Sequence, residues 1–429
     1  MFRISGFLSA AALLALQLSG PALAEQVTLN VAYAYPQNYN EMMKELSERF
    51  EQAYPDINIS FEQPATDYEA LVAQLLRNRL IGQDMPDVAF HGLHRTRTLV
   101  DEKMVVPLDD FIANEPDWVS QGYIPAMQSL ANLRGKSYGL SFAVSTMIAY
   151  YNTDLVEQAG GDPQKLPKTW DEMLALAKKI DSLGSDISGI YWSYYESNNN
   201  WTFHSLVQNF GGLMMTPDEG RIAFDGPGGR AALKLVRSFG EAGMIDMTDS
   251  QAMQSFTAGK LGIVINSSSR ITKVGKDTAG RFELVTTPLP QPVENSSFPA
   301  GGAGVMMMTS DPTKQKAAWE FMKFAAGPIG QTIMVRHSGY MPGNQKAVDD
   351  PDLLGRFYKE NPNHMAPITQ LPRMTAFLTF PGENSLKIPT VIADHLREVL
   401  TLKRPADEAM DAMDAMVKEV SALLPPAGN

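Results

Sequence analysis

The sequence predicts an α/β protein with room for two domains, and three observations carry that reading. Strand and helix patterns alternate from Val27 to Phe90, as they do when a parallel sheet has helices on its faces. The 429 residues are enough to bury two sizeable cores. At 44% hydrophobic and 20% charged, the chain is neither fibrous nor disordered. Zero cysteines remove disulfides, thiolate metal sites, cysteine nucleophiles and a lipid anchor on a leading cysteine. A formal charge of −12 argues against nucleic acid or an anionic membrane as partner.

The first residues read as an address. Arg3 supplies a positive start, Phe7 to Leu18 an apolar run, and Pro21-Ala22-Leu23-Ala24 a small-residue cleavage site. The run is shorter than the ~20 residues that cross a bilayer. Residues 1–24 are therefore expected to be a signal peptide, leaving a soluble periplasmic protein that begins at Glu25.

Val27–Ala32 reads as a strand, followed by a helix with Tyr39, Met42, Met43, Leu46 and Phe50 on one face. Ile57–Phe61 alternates as a strand should, and Tyr68, Leu71, Val72, Leu75 and Leu76 mark the next helix. Pro86–Phe90 is the third strand. Thr169-Trp170-Asp171-Glu172 fits a capping box that opens a helix through Met173, Leu174, Ala177 and Ile180. Leu261–Ile265 is an apolar strand. Asp311 is a natural N-cap with Pro312 behind it, and Gly327-Pro328 stops that helix. Met410, Met413 and Met416 form a stripe at helical spacing that reads as packing.

Few motifs suggest covalent chemistry. Gly135-Lys136-Ser137-Tyr138-Gly139 matches the hydrolase elbow Gly-x-Ser-x-Gly, but an extended segment follows where the elbow needs a helix, so a β-turn explains it better. His91 and His94 lack the further ligands a metal needs. His91 follows a strand, where ligand-facing loops begin, and is a weaker candidate for solute contact. Gly301-Gly302-Ala303-Gly304 is neither a P-loop nor a dinucleotide fingerprint. No cofactor is expected. Five aromatics among carboxamides and hydroxyls between Tyr191 and Trp201 suit a sugar or polyol, whose C–H faces stack on rings while its hydroxyls exchange hydrogen bonds.

The run from Gly301-Gly302-Ala303, through the Asp311-Pro312 helix with Trp319, to Gly339-Tyr340-Met341-Pro342 resembles the extracellular solute-binding proteins of ABC importers. These are the large type that carries sugars and polyols. Phe357–Pro362 and Ile368-Thr369-Gln370-Leu371 are similar to the glycerol-3-phosphate-binding subgroup. The resemblance implies a periplasmic binding protein-like fold of type II, with two α/β lobes joined by a multi-strand hinge and the ligand cleft between them. It places residues 25–142 and 265–309 in the first lobe, and 143–264 and 310–429 in the second. The Leu261 strand is then expected to return to the first lobe, and the Gly301 strand to be the third crossing. By position, the resemblance implies ligand contacts from Tyr68, Ser145, Tyr195, Trp201, Ser268, Gly302 and Tyr340. Tyr194, Lys387 and Arg397 are weaker candidates.

Two departures from that subgroup leave the ligand open. Pro389 stands where the subgroup has a phosphate-pairing arginine, with only Lys387 nearby, and a lysine is a point charge where arginine is a fork. His91-Gly92-Leu93-His94 occupies the region of a polyol-binding glutamate. A neutral sugar, glycerol 3-phosphate and a glycerol phosphodiester all stay open. The expected protein is a monomer that hands its solute to a membrane permease. The alternatives are a periplasmic enzyme acting on carbohydrate, which needs paired carboxylates in one cleft, and a metal-delivery protein.

Overall fold

In the computed structural model the described residues are 26–194, 200–377, 379–405 and 409–426. The signal-peptide expectation and Tyr195 lie outside them. In chain order the elements that matter are β1 (Val27–Tyr33), α1 (Pro36–Ala53), β2 (Ile57–Phe61), α2 (Tyr68–Leu80), β3 (Val88–Gly92), β4 (Leu140–Ser145) and β5 (Met147–Asn152). Then come α3 (Trp170–Asp181), β6 (Ser188–Trp192), α4 (Trp201–Asn209), α5 (Pro227–Glu241), α6 (Asp249–Thr257), β7 (Leu261–Ser267) and α7 (Ile271–Thr278). The chain closes with β8 (Leu284–Pro288), β9 (Gly301–Met307), α8 (Pro312–Ala326), α9 (Pro328–His337), α10 (Ile388–Leu400) and α11 (Ala409–Ser421).

Two sheets make two lobes. The first has strand order β2-β1-β3-β9-β4, with β1 parallel to β2 and β3, and β9 antiparallel to both its neighbours. The second has order β8-β5-β7-β6. The helix signals in the sequence are realised. Thr169 and Glu172 close the capping box of α3, and the Asp311 side chain accepts from the Thr313 and Lys314 N–H groups at the start of α8. The apolar face read for α1 is buried. In α11, Met413 and Met416 are core. Ser137 sits in a two-strand hairpin with Gly135 at the turn, not in an elbow.

The lobe boundaries need correction. β7 pairs with β5 and β6, so the Leu261 strand stays in the second lobe, as does β8 after it. α8 lies on β9, β1 and β4, α9 along α1, and Tyr340, Ala347 and Leu354 pack in the same core, so residues 312–358 belong to the first lobe and not the second. Their apolar residues from Ala317 to Val335 share one core with β1 and α1. The physical reason is that adjacency in sequence says nothing about which sheet edge is vacant. β5 offers an antiparallel partner to β7, while β9 re-enters the first sheet between β3 and β4.

Backbone passes between the lobes at three places among the described residues. The β4–β5 strand runs through Thr146 from one sheet into the other. Residues 289–300 lead from β8 to β9. After Phe357–Glu360, Asn363 returns to the second lobe by bonding Thr286 and Leu284 on the edge strand β8.

Packing between α3 and the second sheet leaves no slack. A Cβ at Gly189 would lie 2.0 Å from the Ala177 carbonyl oxygen. Gly189→Ala is expected to destabilise the protein by about 3 kcal/mol. Urea unfolding should show a lower midpoint at unchanged slope; an unchanged midpoint would mean that α3 can retreat freely.

Candidate functional site

A cavity of about 520 Å³ opens between the lobes, within the size range of small-molecule sites. Its first-lobe wall is built from tyrosines. Tyr35 occupies the left-handed turn (φ 57°) between β1 and α1. Tyr68 is the first residue of α2, whose N-cap Asp67 accepts from the Ala70 N–H at 2.7 Å. The Tyr35 and Tyr68 rings meet edge to face at 4.9 Å. Tyr68 and Tyr39 share a hydroxyl hydrogen bond of 3.0 Å, and Tyr340 packs on Tyr39 at 6.1 Å. Burial raises the pKa of Tyr39, Tyr68 and Tyr340, so their hydroxyls keep their protons and can donate.

The hinge supplies Ser145, Gly301 and Gly302. At Gly302 φ is +105° and an added Cβ would fall 1.8 Å from the Ala143 carbonyl, next to the register shift between β9 and β4. Only glycine fits that backbone conformation and that close approach. A Cβ on Gly301 would lie 2.8 Å from Cζ2 of Trp201. The bare main chain thus lets the indole sit against it, and Trp201 Nε1–H donates to the Pro299 carbonyl at 2.8 Å. Trp201 opens α4, so a second-lobe helix delivers the ring to the hinge. Thr202 beside it also lines the cavity, with its buried hydroxyl unpartnered among the described residues.

The second-lobe wall continues with α6, the end of β7 and α7. Asp249, at the start of α6 and 2% exposed, pairs with the Arg270 guanidinium and accepts from Asn266 Nδ2 at 2.5 Å. Lys273 pairs with Asp277 one turn on, at 2.7 Å. All of these line the cavity.

Phe377 and His94 close one side. Phe377 lies between His94 (5.1 Å) and His204 (4.9 Å), and the Thr379 hydroxyl donates to the His94 carbonyl. His94 Nε2 is 2.8 Å from Glu69 Oε1, and Arg95 reaches the same oxygen at 3.3 Å. Burial alone pushes the Glu69 carboxyl up, but the His94 hydrogen bond and the nearby positive charge outweigh it and hold it at about 2. A carboxylate can only accept, so His94 Nε2 carries the proton.

Tyr68, Ser145, Trp201, Gly302 and Tyr340 therefore converge on one cavity. The other candidates do not reach it. Ser268 is turned into the hinge, where its Oγ accepts from the Thr146 N–H, and its neighbours Ser267 and Ser269 line the cavity instead. His91 is fully buried and stacked on Tyr68 at 6.0 Å, so the histidine at the cavity is His94, on the turn after β3. Tyr194 and Arg397 meet at Asp246, at 2.6 and 2.7 Å, away from the cavity. Lys387 is exposed just before α10 and contributes nothing to the cavity. Sequence reasoning missed Tyr35, Thr202, Asp249, Arg270, Lys273 and Phe377. The one usable signal was polar residues closing an apolar strand, as Ser267 to Arg270 do. Among the described residues no three His, Asp or Glu side chains could hold a metal, and no helix is long and apolar enough to cross a membrane.

The sequence profile of the bacterial extracellular solute-binding proteins matches residues 45–366, well over half of the chain. The chain belongs to that family. A sn-glycerol-3-phosphate-binding periplasmic protein of Agrobacterium fabrum is 26% identical over 309 residues, covering 69% of each chain. A maltotriose-binding protein of Pyrococcus abyssi is 24% identical, covering 74% of this chain and 66% of its own. Among solved structures, UgpB of Mycobacterium tuberculosis in complex with glycerophosphocholine superposes with a TM-score of 0.81 at 21% identity, over 92% of this chain and 98% of that one. Maltose-bound MalE3 of T. maritima gives 0.75 at 20%, over 93% and 100%. The family member described here has their type II periplasmic-binding architecture of two α/β lobes around a cleft.

Buried histidines set a pH dependence. Burial holds His91 and His204 at about 3, against an ordinary value of about 6.5. Below pH 6.5 the unfolded chain takes up protons that the folded one refuses, so stability is full above that pH and falls as pH drops towards 3. At pH 5 each ring costs roughly 2 kcal/mol. His91→Phe should shrink the difference in unfolding free energy between pH 7 and pH 5 by about that amount. A pH profile that the substitution leaves alone would show that His91 is charged in the folded protein.

Proposed function

We propose that this protein captures a hydroxyl-rich solute of the sugar, polyol or glycerol-phosphate type in the interlobe cleft, without altering it. It then delivers the solute to the membrane permease of an ABC importer. It does so in the periplasm, after loss of residues 1–24, and as a monomer. One observation carries the reading: rings from both lobes, Tyr68 and Tyr340 on one side and Trp201 on the other, face a cavity whose other lining is largely hydroxyls, carboxamides and ion pairs. Rings accept the C–H faces of a sugar, and polar groups fix its hydroxyls. Closure of the lobes around the solute yields a surface that the open form lacks, which a permease can distinguish.

The competing enzyme reading has little to work with. A glycoside hydrolase needs a carboxylic acid that can hold a proton. Both Asp249 oxygens are already engaged, one by the Arg270 guanidinium and one by Asn266. Asp277 is salt-bridged to Lys273.

Thermal denaturation with a panel of sugars, glycerol phosphates and their diesters should single out a stabilising ligand, whose shift grows with the logarithm of its excess. Recovery of a chemically changed ligand would favour the enzyme. Trp201→Ala is expected to weaken binding by roughly 1–3 kcal/mol, measured calorimetrically; undiminished affinity would take the indole out of the site. Small-angle scattering should show the radius of gyration fall when the ligand is added.

A further inference from the structure

Among the described residues, the charges that face the cavity cancel. Arg270 is matched by Asp249, which is buried beneath it, and Lys273 by Asp277. His94 donates its Nε2 proton to Glu69, whose own charge is met by Arg95. A phosphate monoester brings nearly two negative charges, and among the described residues it would meet two carboxylates and no cation left over from a pair. An uncharged ligand meets a different wall. Asp249 fixes one edge of the Arg270 guanidinium, while the Arg270 side chain is still 38% exposed at the cavity. A guanidinium held this way presents donors in a rigid plane. The Ser267 and Ser269 hydroxyls, 2.8 Å apart, flank it. Thr202, 3% exposed and without a partner for its hydroxyl among the described residues, offers one more donor and acceptor in the same cavity. An unpaired buried hydroxyl is costly until a ligand satisfies it.

We propose that the Asp249–Arg270 pair determines specificity: it reads the hydroxyls of an uncharged sugar and, with Lys273 already neutralised by Asp277, leaves the cleft unable to hold a phosphate monoester. This narrows the solute-capture reading above and rests on it. Arg270 arranges donors for adjacent ligand oxygens, Asp249 keeps the guanidinium in place, and Thr202 engages a further hydroxyl. No bond is made or broken.

The test is calorimetric titration of the full chain with neutral mono-, di- and trisaccharides (tagatose, maltose and maltotriose among them), sn-glycerol 3-phosphate and glycerophosphocholine. At least one neutral sugar should bind at least a hundredfold more tightly than either phosphorus compound. Arg270→Gln should weaken that sugar roughly tenfold or more, the loss typical of a charge-assisted hydrogen bond, and should also lower the ligand-free melting temperature because it strands the buried Asp249 carboxylate. Arg270→Lys, which keeps the charge but loses the planar fork, should weaken the sugar while the ligand-free melting temperature holds. Thr202→Val should also weaken it, with the fold kept. Lys387→Met, far from the cavity, should leave affinity unchanged. Tighter binding of either phosphorus compound than of every sugar overturns the sugar assignment and leaves solute capture standing. So does sugar affinity that Arg270→Gln does not touch. Silence from the whole panel overturns both.

Discussion

Two lobes can move against each other only if the backbone that joins them stays hydrogen-bonded where it leaves one sheet for the next. That constraint falls on Thr146, the single residue between β4 and β5. Thr146 is fully buried, so its polar groups cannot turn to water. Its N–H donates to Ser268 Oγ and its carbonyl accepts from the Ser268 N–H at 2.9 Å. Gln370, also fully buried, donates to the Met147 carbonyl at 2.8 Å and accepts from the Leu289 N–H at 3.2 Å. One side chain from the third pass thereby ties the first pass to the second. The hinge is a small hydrogen-bonded knot, and the cleft's floor is its outer surface.

The site follows from that knot. Ser145 and Gly301–Gly302 are hinge residues before they are cleft residues, and Gly302 leads into the register shift that β9 makes against β4 between Ala303 and Gly304. The space beside the bare Gly301 is filled by Trp201, whose Nε1–H is anchored on Pro299, within the second pass. The cavity-lining indole and the hinge main chain are thus one unit, so the position of the ring is coupled to that of the hinge. The charged groups are arranged differently. Among the described residues each sits with its opposite on the same wall, Arg270 with Asp249 and Lys273 with Asp277.

How much could be read in advance differs by kind of residue. Tyr68 and Trp201, which reach the cavity, were placed there by positional resemblance to the family, while the residues themselves pointed only to the aromatic cluster from Tyr191 to Trp201 and to Tyr340 held between Gly339 and Pro342. Ser268 was wrong by one residue because a side chain's direction at the end of a strand depends on where the ladder stops, and β7 stops at Ser267. His91 and His94 exchanged roles for a related reason, since β3 ends at Gly92 and the following turn carries His94 to the cavity. Arg270 was passed over because an arginine after a serine run has the composition of any surface loop. Only its pairing with the buried Asp249, 21 residues earlier, marks it out.

By itself the sequence determined the local order: strand and helix periods, the Thr169–Glu172 and Asp311–Pro312 helix starts, and the exclusion of cysteine chemistry. These depend on side chains within a turn or two of one another, where propensity and capping act. Tertiary structure decided which sheet took β7, which lobe received α8 and α9, and how Asp249 came to lie beneath Arg270. Those outcomes turn on competition for vacant sheet edges and on the burial of charge, and both are settled by partners distant in the chain.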